Sequence, residues 1–169
     1  YNVHSLTSYL GRLFVGTRAL LTSPPIIYVR STIGAYTASL THATNSSGAA
    51  HYTALTVLGS NLYAILYHDG IADQSERITI NKFDDTTWTT VYTLDEAGGA
   101  TESRVQAVVG SQGLVGPDGA LYFVIAESET TPTTNVAEDG IILRSTNGTT
   151  WTEVDTFTNL RGCIGFTRT

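Results

Sequence analysis

The sequence predicts an all-β fold: a segment of β-propeller with three four-stranded antiparallel blades and the first strand of a fourth. Three observations lead there. A turn pattern of short polar residues closing on an aromatic returns three times, at roughly 50- to 60-residue spacing, which marks stacked copies of one unit. Between the returns lie short strand-like runs rich in Thr, Tyr, Val and Ile, with no stretch of helical periodicity. The second run of each unit is apolar on both faces: Leu13-Phe14-Val15, Leu62-Tyr63-Ala64-Ile65-Leu66, and Leu121-Tyr122-Phe123-Val124-Ile125-Ala126. A sheet with one wet face alternates apolar and polar residues, so these strands belong to sheets covered on both sides. Four-stranded sheets stacked face to face describe a propeller. A two-sheet sandwich is the runner-up; it explains one core but not three copies of one turn.

Taken in order, the first blade, about 3–40, reads as strands over 3–9, 12–17, 26–31 and 35–40. The second, about 53–94, reads as strands over 53–58, 62–67, 77–82 and 87–94. The third, about 104–157, reads as strands over 104–109, 120–127, 140–145 and 150–157. Turn residues separate them. Gly11-Arg12 and Gly59-Ser60-Asn61 suit tight hairpins, and Asn147-Gly148 is a strong two-residue hairpin signal. The first connection of the third blade is expected to be long, holding Gly110, Gly113, Gly116, Pro117, Asp118 and Gly119. Residues 161–169 read as the first strand of a fourth blade. Three blades and a strand leave flat apolar faces bare, so the partners expected are further propeller blades in the same polypeptide or other copies of the chain.

Composition narrows the function classes. Charged residues make up only 14% of the 169, against about 25% in an average domain. Net charge is −6 and Lys82 is the only lysine. That excludes the basic face that neutralises phosphates, so no nucleic-acid partner is expected. No run approaches the length of about 20 apolar residues that a spanning helix needs, so no membrane insertion is expected. Cys163 stands alone, which leaves no intrachain disulfide and reads as a small buried hydrophobe. The chain holds no Met, which suits a processed product, an excised segment or part of something longer.

The three turns carry a resemblance. Ser145-Thr146-Asn147-Gly148-Thr149-Thr150-Trp151 resembles the short form of the Asp-box, or BNR repeat, whose pattern runs Ser, any, Asp, Gly, any, Thr, Trp. Asn147 stands where Asp is usual. In the second copy Asp84 and Trp88 match, while Lys82 replaces Ser and Asp85 replaces Gly. The first keeps Ser31 and Gly34, with Ile33 at the acidic place and Tyr36 as the aromatic. The resemblance implies a sialidase-like propeller architecture in which the boxes are structural and lie on the face opposite any ligand site. The local chemistry agrees: a short polar side chain caps backbone N–H groups, Gly permits positive φ, and Trp packs between units.

Topology then directs attention to the other end of the blades. The connections over 17–25, 41–51, 68–76, 95–102 and 127–139 leave there, and they are the longest and most acidic segments. Asp69, Asp73, Glu76, Glu138 and Asp139 are the candidate ligand-binding residues, suited to sugar hydroxyls or a cation. No catalytic residue, metal or cofactor is expected. His42 and His51 lack the neighbouring ligands of a zinc site. A sialidase-type site needs clustered arginines beside a tyrosine and a glutamate; Arg18, Arg77, Arg104 and Arg161 are available, but the aromatic-Arg-Ile-Pro sequence of that family is missing. The expected function is a non-catalytic surface-display or ligand-binding module, extracellular or on a virion surface, such as a phage tail or fibre component or a bacterial surface protein, with a glycan or cell-surface receptor as partner. The alternatives are a fragment of a sialidase-like glycoside hydrolase and a purely structural subunit of an assembly.

Overall fold

The computed structural model describes residues 2–18, 24–31, 34–41, 50–68, 77–95, 108–127 and 140–157. These form twelve strands and, among the described residues, no helix. The first sheet holds β1 (Asn2–Tyr9), β2 (Arg12–Arg18), β3 (Ile26–Arg30) and β4 (Thr37–Thr41). The second holds β5 (Ala50–Leu58), β6 (Asn61–His68), β7 (Arg77–Phe83) and β8 (Trp88–Asp95). The third holds β9 (Val108–Val115), β10 (Leu121–Glu127), β11 (Gly140–Ser145) and β12 (Thr152–Phe157). Each is an antiparallel meander of four neighbouring strands, and a single pair, Arg18↔His51, bridges the first sheet to the second. The sheets stack like propeller blades, with β5 packed beside both β1 and β9. The segment 161–169 lies outside the described residues.

The core follows from β6. Its side chains alternate faces, as a strand requires. Leu62, Ala64 and Leu66 join Phe14, Ile27, Leu55 and Phe83 in a cluster between the first two sheets. Tyr63, Ile65 and Tyr67 join Phe123, Ile125, Leu143 and Trp151 in a cluster between the second and third. The continuous apolar run of β6 is thus the signature of a sheet buried on both faces.

Strand register makes the three sheets equivalent residue by residue. Leu13, Leu62 and Leu121 pair with Ser8, Val57 and Val115 on one side, and with Arg30, Phe83 and Ser145 on the other. All three sheets bulge at one place on the fourth strand, where Ser39, Val91 and Val154 are the extra residues. A bulge re-aims its side chain out of the regular alternation.

Two expectations about turns are corrected. The glycines at 110 and 113 do not belong to a long connection; β9 runs to Val115, and the turn is short, closed by Gly116 N–H to Ala120 O at 2.8 Å and Gly119 N–H to Gly116 O at 3.0 Å. Gly113 is in the strand because a Cβ there would meet Thr56 Cγ2 at 2.6 Å and Phe123 Cε1 at 2.7 Å. It marks close approach of a neighbouring sheet, not a turn. Asn147-Gly148 is not a two-residue hairpin either. Six residues separate β11 from β12, and only Gly148, at φ 71°, is left-handed. The two-residue hairpins are Leu10-Gly11, both with positive φ, and Gly59-Ser60, with Gly59 at φ 59°.

Candidate functional site

Antiparallel meanders give the molecule two unlike ends. Every hairpin within the described residues turns at one end: 10–11, 59–60 and 116–120 between first and second strands, and 84–87 and 146–151 between third and fourth. The strands hand the chain to 69–76 and 128–139 at the opposite end, framed by His68↔Arg77 and Ala126↔Gly140. Asp69, Asp73, Glu76, Glu138 and Asp139 lie outside the described residues. Among the described residues, no three His, Cys, Asp or Glu side chains gather as metal ligands would.

At the hairpin end, two turns share one construction. Asp84 Oδ1 accepts from Thr86 N–H at 3.0 Å, Thr87 N–H at 2.7 Å and Thr86 Oγ1 at 2.8 Å. Asn147 Oδ1 accepts from Thr149 N–H at 2.9 Å and Thr150 N–H at 2.8 Å. The residue after each cap is left-handed, Asp85 at φ 82° and Gly148 at φ 71°. Ser145 adds a second cap, its Oγ accepting from Gly148 N–H at 2.8 Å. Hydrogen bonds from the Thr87 N–H, the Thr86 hydroxyl and the Thr86 N–H, in that order, hold the Asp84 carboxyl below its usual range. These are Asx-turns, in which a side chain imitates a backbone acceptor.

The aromatics stand at the head of each fourth strand. Trp88 stacks on Phe83 at 4.9 Å and donates Nε1–H to Ser39 Oγ at 3.0 Å, across to the first sheet. Trp151 packs on Tyr63 at 5.9 Å and Phe123 at 4.8 Å, but its buried Nε1–H has no partner among the described residues. Tyr36 is 46% exposed and lies under the Arg30 guanidinium, 5.5 Å from its ring. Gly34, at φ 141°, accepts from Arg30 Nε at 3.0 Å, and Ser31 is exposed beside it.

Some contacts that tie the sheets together are absent from the sequence reading. Arg12 pairs with Asp85 across the first interface, over the Phe14 and Phe83 rings. Tyr9 donates to Ser60 O at 2.8 Å there, and Tyr63 donates to Gly148 O at 3.3 Å across the second interface. On the face of the third sheet turned away from the second, Arg144 Nη2 donates to Asp118 Oδ2 at 2.8 Å, and Tyr122 donates to the same oxygen at 3.0 Å. The Arg144 bond, ahead of those from Ala120 N–H and Tyr122, lowers the Asp118 carboxyl. A repeated signal was available for the interface residues: Leu followed by an aromatic within two residues of the end of each first hairpin, at Leu13-Phe14, Leu62-Tyr63 and Leu121-Tyr122. An open depression of about 320 Å³ lies at the hairpin end of the first sheet, lined by Ser8, Gly11, Arg12, Leu13, Arg30 and Ser31.

Comparison with known protein families finds no match to this chain, and comparison with curated proteins finds none.

Proposed function

We propose that the protein is a non-catalytic display and ligand-binding module of an extracellular or virion surface, whose ligand meets the end opposite the hairpins. One observation carries this reading: the hairpin end is built from short turns locked by their own side chains, while every longer connection leaves from the other end. Rigid strands with variable segments at one end form a scaffold on which recognition residues are held. The resemblance of the 84–88 and 147–151 turns to Asp-box turns supports the same orientation, because Asp84 and Asn147 serve as caps rather than as reactive groups.

The acidic residues Asp69, Asp73, Glu76, Glu138 and Asp139 favour a neutral glycan or a cation-bridged one, since carboxylates repel a free anionic sugar. A glycan array probed with and without calcium tests this, followed by Asp69→Asn, Asp73→Asn, Glu138→Gln and Asp139→Asn. The expected result is binding to neutral glycans that the four substitutions abolish. Tight binding to sialylated glycans that survives them, or hydrolysis of those glycans, overturns the reading in favour of a sialidase-like hydrolase.

A further inference from the structure

The two interfaces between sheets have a direction. Each sheet sends one aromatic forward into the next: Phe14 packs on Phe83 at 5.6 Å, and Tyr63 packs on Phe123 and Trp151, each at 5.9 Å. Each receiving sheet brings to that cluster its own Leu at the start of the second strand and its fourth-strand aromatic, and the second sheet adds a first-strand leucine where the third has Gly113. For the second sheet these are Leu62, Leu55 and Trp88.

The outermost faces complete the series at both ends. Register places Tyr122 at the position of Phe14 and Tyr63, so the third sheet's face turned away from the second is a forward face. Val154 occupies the bulge where Ser39 bonds Trp88 and Val91 packs against the second cluster, yet it is 49% exposed. The first sheet's face turned away from the second is a receiving face, with no sheet against it among the described residues. Leu6 holds the place of Leu55, but Leu6 is 60% exposed and Leu55 8%. The depression lined by Ser8, Leu13 and Arg30 lies at the register of Val57, Leu62 and Phe83 in the second sheet, of which Phe83 packs on Phe14 and Leu62 shares its cluster.

We propose that a second copy of this chain occupies these faces, head to tail, with Tyr122 of one copy seated in the Ser8–Leu13–Arg30 depression of the next. A forward face mates with a receiving face, and neither mates with its own kind. The described residues present one of each, and a second copy offers the matching face to both. The association is heterologous and closes into a ring or extends as a filament. It needs only the ring of Tyr122, because Phe14 does the same work without a hydroxyl, and Tyr122 already donates its own to Asp118. This inference stands apart from the ligand-binding proposal: it concerns the sheet faces, and the failure of either leaves the other intact.

The experiment is sedimentation of the full chain over a concentration series, with two exposed positions altered separately. Leu6→Glu blocks the receiving face and Val154→Glu the forward face; Ser8→Trp fills the depression and is a second receiving-face variant. Unchanged thermal melts show that each variant is folded. The wild-type chain is expected to form species larger than a dimer. Each single variant is expected to dissociate at least about tenfold more readily, and Tyr122→Ala likewise. Mixing Leu6→Glu with Val154→Glu is expected to give a dimer that grows no further, since one intact junction remains and both acidic faces meet at the other. A wild-type chain that stays monomeric at every concentration overturns the proposal. So does association that all four variants leave unchanged, or a mixture in which no dimer appears.

Discussion

Trp151 and Trp88 head equivalent strands, yet one indole N–H is satisfied and the other is not. The bulge residues of the preceding sheets differ: Ser39 offers Trp88 a hydroxyl at 3.0 Å, whereas its equivalent Val91, packed against the cluster that holds Trp151, carries only methyl groups. A buried N–H without a partner costs about 1–3 kcal/mol. Val91→Thr supplies an acceptor while nearly preserving shape. In a double-mutant cycle with Trp151→Phe, denaturant midpoints should report a favourable coupling of about 1 kcal/mol between the threonine and the indole. No coupling would mean that the bulge side chain does not reach the indole. Asp84 makes a pH prediction. Its folded carboxyl is held below the unfolded value, so its contribution is complete above the unfolded value, about pH 3.9, and is lost as pH falls through the folded one. Asp84→Asn should lower stability at neutral pH relative to wild type and narrow that gap on acidification, measured as thermal midpoints across the acid range.

At the level of elements, the third-to-fourth hairpins are set by which side chain arrives from the next-door sheet. Gly148 is left-handed, and a Cβ on it would sit 2.0 Å from the Tyr63 hydroxyl oxygen. At the other interface the left-handed residue is Asp85, which has a Cβ, and the arriving ring is Phe14, which has no hydroxyl. The pairs Tyr63 with Gly148 and Phe14 with Asp85 are therefore complementary alternatives. Gly148→Ala should destabilise by more than the roughly 1–2 kcal/mol of left-handed backbone strain. Adding Tyr63→Phe should recover the excess but not the strain. Full recovery, or none, would show that the clash and the backbone terms are misassigned. The same logic places Gly113 in a strand and not in a turn. Its neighbour Phe123 fills the space that Leu55 and Ala64 share in the second sheet, large and small having changed places across the pair.

At the scale of the whole molecule, the second sheet belongs to both cores. Leu66 lies in one cluster and Ile65 in the other, adjacent in sequence and on opposite faces. Truncating either to alanine removes a fully buried side chain and should cost about 2–5 kcal/mol. Because the two clusters share β6, both variants are expected to keep one unfolding transition with an unchanged denaturant slope. A split transition in Ile65→Ala, with the first two sheets persisting, would mean that the third sheet folds on its own account.

The sequence by itself determined what local physics governs. Eleven of the twelve strands, the apolar second strand of each unit, the tight hairpins signalled by Gly11-Arg12 and Gly59-Ser60-Asn61 and the polar caps at 84 and 147 follow from side-chain period, turn residues and short-range hydrogen bonding, whereas β9, expected over 104–109, runs over Val108–Val115. Tertiary structure decided what depends on residues far along the chain. It assigned each face of β6 to a different neighbour, turned Gly113 from punctuation into a point of close approach, and made Asn147-Gly148 part of a six-residue turn under Tyr63. It also set Ser39, Val91 and Val154 at one bulge with three different fates. A strand's period says that it has two faces. Which atoms lie against each face is settled only when sheets distant in sequence pack together, because close packing leaves room for just one set of neighbours.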